Sequence, residues 1–272
     1  MSMHDRQLIE RIGGDASGIR VAVEPAAKIL RVTLDCGPGN RLGLAQLDRL
    51  RAVAAGLGAL SAATDLCRVV VLDAAGNDFC HGANLTDPAL MARLNEGRAA
   101  RIAFANGGQE LVALWRAIPV PTVAVAQGHV VGAGACLFMA SDFRCAAPGA
   151  QVRFPEIDRG MHLGWGIVPR LVSLLGESRA LRLALLGEAL AADALADCVT
   201  VSTSPADEAL RLAEQLAEKP PLAVRSVLAV LRDSLQGAAA DAVRWADTLE
   251  SADFAEAMAA WYGRRAGQWR GL

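Results

Sequence analysis

The chain has 272 residues, enough to bury a sizeable core as one domain or two small ones. Hydrophobic residues make up 53 % and the formal net charge is −2, which excludes a disordered chain and argues against a surface built for nucleic acid. The six cysteines (Cys36, Cys67, Cys80, Cys136, Cys145, Cys198) form no CxxC pair and point to neither a metal site nor a disulfide framework, so a reducing compartment is expected. The first 14 residues are polar and lack an apolar signal region, and the apolar runs are far shorter than a membrane span, so the expectation is a soluble cytoplasmic protein. Residues 1–18 read as a short helical lead-in. Residues 19–23 and 29–34 read as two strands joined by the turn EPAAK, followed by a loop over 35–43, DCGPGNRLG. Residues 44–63 read as an amphipathic helix despite Gly56 and Gly58. A strand at 69–72 leads into the loop FCHGANL, and 88–116 reads as mostly helical with an interruption at Gly107 and Gly108.

The apolar run 121–126 predicts a buried strand, and the following stretch, QGHVVGAGACLFMASD, reads as a glycine turn opening a helix over 136–141. A strand, a glycine turn and a helix start leave backbone N–H groups without partners, and the helix dipole adds positive character there. Such a place can hold an oxygen that becomes negative during a reaction. A tight βα turn of purely structural value is the alternative. A short strand is expected at 143–146. Beyond residue 168 the pattern turns helical, over 171–175, 178–186, 206–217, 222–235 and 239–265, with Ser204 as an N-cap and Pro205 at the first helical position. Strands alternating with helices predict an α/β arrangement with crossover connections.

Three motifs in order, GANL at 82–85, VVGAGAC at 130–136 and FPEI at 154–157, resemble those of the crotonase superfamily, the enoyl-CoA hydratase/isomerase proteins. The resemblance runs from about residue 21 to 269. It implies a core of repeated ββα units over 1–200 and a helical C-terminal region over 201–272 that forms a homotrimer or a hexamer of two trimers. It also implies an acyl-CoA thioester substrate, with coenzyme A carried as part of the substrate and no separate cofactor or metal. The implied oxyanion donors are the N–H groups of Ala83 and Ala133, the latter replacing a usual glycine, and Glu156 is the implied acid/base. A carboxylate beside an apolar ligand has a raised pKa, which suits it to moving protons near neutrality.

The hydratases of that superfamily carry a second glutamate where this chain has Cys136. A thiol neither holds water strongly nor acts as a base unless ionised. The pattern therefore resembles the single-glutamate arrangement of Δ3,Δ2-enoyl-CoA isomerases. A hydratase using Glu156 with another group, a decarboxylase or dehydratase relative, and a non-catalytic acyl-CoA-binding subunit stay open. The chain lacks the GxSxG motif of a serine hydrolase, and VVGAGA lacks the full dinucleotide fingerprint. By resemblance, Arg41 and Leu42 lie along the coenzyme A arm, and Trp261 and Arg264 take an aromatic and a phosphate-binding position near the C-terminus. His81, Asn84, Cys136, His162, Gly164 and Trp165 are the remaining candidates for substrate contact. His129 reads as a packing or edge residue.

Overall fold

The structure, a computed structural model, describes residues 3–60, 66–232 and 247–271. After a first helix, α1 (Met3–Ile12), the short β1 (Gly14–Ala16) pairs with β2 (Ile19–Glu24), which forms an antiparallel hairpin with β3 (Ile29–Leu34). β2 alternates buried Ile19 and Val21 with exposed Arg20 and Ala22, as a strand covered on one face should. The next strands join in parallel. They are β4 (Val69–Ala74), β5 (Thr122–Ala126), β7 (Phe143–Ala146) and β10 (Thr200–Val201), giving a seven-stranded sheet in the order β1-β2-β3-β4-β5-β7-β10. A smaller sheet, in the order β6-β8-β9, comprises β6 (His129–Val131), β8 (Gln151–Arg153) and β9 (Ala189–Ala191).

Both faces of the large sheet are covered, which explains why its central strands read as unbroken apolar runs. Val70 and Leu72 face the main core with α2 (Leu44–Gly58), while Val69 and Val71 face a second core with Ala209, Ala213 and Ala217 of α7 (Pro205–Ala217). α2 buries Leu47, Leu50, Val53, Ala54 and Leu57 at helical spacing. Its start is held by Asp87, whose Oδ2 accepts from Leu44 N–H at 2.8 Å. The other oxygen of Asp87 caps α3 (Pro88–Asn95) through Ala89 N–H at 3.0 Å.

The expected interruption at Gly107 and Gly108 does not occur. The chain breaks instead at Gly97, with φ +115, and α4 (Arg98–Ala117) runs straight through the two later glycines. Both are buried because something needs their missing side chains: the Arg51 guanidinium lies on Gly107 and the Trp165 indole on Gly108. A helical glycine costs about 1 kcal/mol relative to alanine, and close packing of this kind offsets it. Two helical stretches were expected between 171 and 186, and α6 (Val168–Leu185) supplies them, with non-helical Gly176 at φ +74 between its halves. Helices α8 (Pro221–Arg232) and α9 (Ala252–Tyr262) follow α7. Ser204 sits at the N-cap position of α7, but its side chain makes no capping bond. The helical stretch expected over 239–265 is described only from residue 247, and residues 233–246 lie outside the described residues. The strands β1, β6, β8, β9 and β10 were not expected as separate elements. Among the described residues, no helix is long and apolar enough to cross a membrane.

Candidate active site

Three loops meet at the carboxyl ends of β3, β4 and β5. The loop after β3 is zipped along the loop after β4. His81 N–H donates to Gly39 O at 2.7 Å, Leu42 N–H to Gly82 O at 2.9 Å, and Asn84 N–H to Leu42 O at 2.8 Å. Leu42 thus forms a parallel bridge with Ala83. In that pattern Leu42 bonds the residues flanking Ala83, so the N–H of Ala83 itself points away from Leu42. Asn40 holds the arrangement from beneath. It is buried with φ +46, donates to Ala75 O at 2.8 Å and Asp78 O at 3.1 Å, and accepts from Cys36 N–H at 2.9 Å.

The third loop carries β6 and opens α5 (Ala133–Ala140). Cys80 N–H donates to His129 O at 3.0 Å and Val131 N–H to Cys80 O at 2.8 Å, which locks the two glycine turns side by side. Their approach needs glycine on both sides. A Cβ on Gly82, at φ +87, would lie 3.2 Å from Val131 O and 3.6 Å from the nitrogen of Ala133. Gly132 has φ +52 and ψ −118, a conformation open to glycine and strained for other residues. Ala133 is the first residue of α5, so its N–H has no acceptor within the helix. All eight residues of α5 are buried.

Glu156 reaches the same spot from the loop after β8. A Cβ on Gly132 would lie 3.0 Å from Glu156 Oε1, so the carboxylate stands over Gly132 and next to Ala133. Glu156 is half-buried, and its Oε2 is shielded from solvent with no hydrogen-bond partner. Burial raises its pKa above the ordinary carboxylate value, while its own backbone N–H and Arg159 oppose the shift. Cys136 lies deep in α5. Burial pushes its thiol well above the ordinary value, and the nearby Glu156 carboxylate pushes the same way. It therefore stays protonated beside Glu156.

A cavity of about 420 Å³ opens against these loops, lined by Arg41, His81, Ala83, Asn84, Val131 and Pro155 among others. Arg41, His81 and Asn84, three of the residues expected to contact substrate, thus line one cavity. Leu42 contributes backbone only, its side chain being fully buried. Asn84 Oδ1 accepts from Thr86 Oγ at 2.7 Å. His162 is exposed and Gly164 half-buried in the loop following Glu156. Trp165, at φ +62, packs edge-on against Phe104 at 6.3 Å and borders a different cavity, between α4 and α8. Trp261 is 69 % exposed and stacks near Tyr262, and neither it nor Arg264 lines the cavity at Ala83. Sequence reasoning missed Arg159, which lines that cavity and donates to Pro155 O at 3.2 Å. Its position three residues after Glu156 was the available signal. His129, expected to be a packing or edge residue, is exposed on β6 at the edge of the small sheet and lines the cavity as well.

Known proteins resemble this chain in sequence and fold. Residues 56–271 match the family described as enoyl-CoA hydratase/isomerase. A Bacillus subtilis (strain 168) protein named probable enoyl-CoA hydratase is 28 % identical over 272 residues, covering 94 % of this chain and 99 % of that one. The enoyl-CoA isomerase/hydratase fer4 of Mycosarcoma maydis is 30 % identical over 214 residues, covering 74 % of this chain and 75 % of that one. The crystal structure of an enoyl-CoA hydratase from Bacillus anthracis superposes with a TM-score of 0.83 at 25 % identity, covering 94 % of this chain and 100 % of that one.

Proposed function

The chain belongs to the enoyl-CoA hydratase/isomerase family and is a crotonase-type enzyme, and we propose that it shifts a double bond along the acyl chain of a coenzyme A thioester with Glu156 as its single base. The observation that carries this reading is the Glu156 carboxylate over Gly132, its Oε2 shielded and unpartnered, next to a thiol that stays protonated.

In the proposed reaction a 3-enoyl thioester binds with its carbonyl oxygen toward the N–H groups of Ala83 and Ala133. Glu156 removes a proton from the carbon next to the carbonyl. The electron pair left behind spreads onto the thioester oxygen, and the two N–H groups meet the growing charge. Removing one such donor costs about 10²–10³ in rate in other enzymes that stabilise an oxyanion. The same carboxyl then returns its proton to the fourth carbon, so the double bond moves from carbons 3 and 4 to carbons 2 and 3. Atoms and charge balance without water. Burial supports both halves of the cycle, since a carboxylate with a raised pKa takes and returns a proton at similar cost.

Hydration would require a second group to hold and polarise a water molecule. The charged groups that perturb Glu156 include Arg159 but no second carboxylate. The coenzyme A arm is assigned to the side of the cavity bearing Arg41 and His81, and the helical C-terminal region is assigned to a trimer interface, with Trp261 and Arg264 facing a neighbouring subunit. Incubation with 3-hexenoyl-CoA and, separately, crotonyl-CoA tests the assignment, with Glu156→Gln as control. The expected outcome is conversion of the 3-enoyl to the 2-enoyl thioester, lost in the variant. Rapid hydration of crotonyl-CoA with no isomerisation would overturn it.

A further inference from the structure

We propose that Asp78, His81 and His129 form a binding site for one divalent transition ion of the zinc class, on the rim of the cavity that holds Ala83. Nothing in the proposed proton transfer uses these three residues as a set. One donor atom from each lies within 4.8 Å of the other two. Asp78 and His129 are 51 residues apart in sequence, so the cysteine and histidine spacings carry no trace of the cluster.

Each ligand is held by its own support. Asp78 Oδ1 accepts from His129 N–H at 2.9 Å, which leaves Oδ2 directed at His81. The His81 ring lies flat against Gly39, where an added Cβ would come within 2.9–3.1 Å of three ring atoms. The His129 ring meets the His81 ring edge-on, with centroids 5.1 Å apart. Supports of this kind orient metal ligands and fix which nitrogen is free.

The contact between His81 and Asp78 gives the strongest indication. His81 Nε2 is shielded from solvent and lies 3.1 Å from Asp78 Oδ2, so two of the three donor atoms already face each other. An ion bound at about 2.0–2.1 Å to nitrogen and oxygen ligands sets neighbouring ligand atoms roughly 3.4 Å apart, close to the separation present. Two imidazoles and one carboxylate suit zinc, cobalt or nickel better than magnesium or calcium, which favour all-oxygen shells. Three protein ligands leave a coordination position open, and His81 and His129 both line the cavity. An ion here would therefore border the space assigned to the thioester's carrier arm.

The experiment starts from protein dialysed against chelator. Calorimetric titration with zinc chloride should give one ion per chain with a dissociation constant of about micromolar or tighter, and cobalt substitution should give the visible bands of a low-coordinate site. His129→Ala, an exposed position, and Asp78→Asn should each weaken zinc binding tenfold or more, a loss in the range that ligand and support mutations cause. His162→Ala, which removes an exposed histidine elsewhere, should leave stoichiometry and affinity unchanged. Circular dichroism of each variant confirms folding. Absence of zinc binding at about 100-fold above the micromolar range, or equal affinity in wild type and His129→Ala, would overturn the assignment, and neither result bears on isomerase activity.

Discussion

Glu156→Gln keeps the size of the side chain and removes its charge, so the variant should lose activity and gain stability at once. Burial raises the native pKa of Glu156 above 4.5, the ordinary carboxylate value. Below that value the carboxyl is protonated in both the folded and the unfolded chain, and the residue costs nothing electrostatically. As pH rises past 4.5 the unfolded chain releases the proton first, and above the native pKa the folded protein holds a carboxylate whose Oε2 is shielded and unpartnered. The destabilisation thus appears as pH rises past 4.5 and is complete only above the native pKa. A buried polar group without a partner costs about 1–3 kcal/mol, and the glutamine amide shares part of that deficit, which leaves a gain of about 1 kcal/mol. For a chain of this size that is roughly 2–4 °C in Tm. Isomerisation should fall about 10²–10⁴-fold, the usual worth of a positioned acid/base. Calorimetry from about pH 4 to about pH 8, run beside the 3-hexenoyl-CoA assay, reads both. The stabilisation should vanish at the acid end and grow toward neutrality. A Tm difference that is negative or flat with pH, or activity within tenfold of wild type, would refute the reasoning.

Gly132→Ala should strain the turn by about 1–3 kcal/mol and press on Glu156 Oε1, lowering Tm by several degrees but kcat about 10²-fold, because a small displacement at a reacting group is costly. Native protein should resist iodoacetamide at about pH 8 because burial raises the pKa of every cysteine, to about 12 for Cys67 and Cys80, whereas unfolded protein should take up six labels by mass spectrometry. Asp142→Ala should destabilise by about 3–5 kcal/mol in urea denaturation, since Asp142 accepts from Thr122 N–H at 2.9 Å and pairs with Arg232 at 2.6 Å with both side chains largely buried.

The parts of the site legible in the sequence are those where backbone shape demands a particular letter. Gly82 and Gly132 both take positive φ, and each sits where a side chain would separate the loops, so their spacing after apolar strands marks the two turns. β4 and β5 were legible because burial on both faces leaves unbroken apolar runs. Glycine misled where it served packing rather than geometry: Gly107 and Gly108 keep helical backbone and make room for Arg51 and Trp165. The three-residue strands of the small sheet carry too few side chains to show a period. The position of Trp165 and the meeting of Asp78 with His129 follow from tertiary closure, for which a local pattern holds no signal.

Helix α5 has no wet side, and this decides how the site should respond to salt. A helix on a protein surface has its end charges damped by mobile ions. All eight residues from Ala133 to Ala140 are buried, and the positive end of their dipole opens beside Gly132 and Glu156. Counterions cannot come alongside. Raising ionic strength will weaken long-range attraction between exposed charges and an anionic carrier, while the field at the thioester oxygen stays nearly constant. Dissolved salt should therefore change how readily the ligand arrives far more than how fast it reacts once seated.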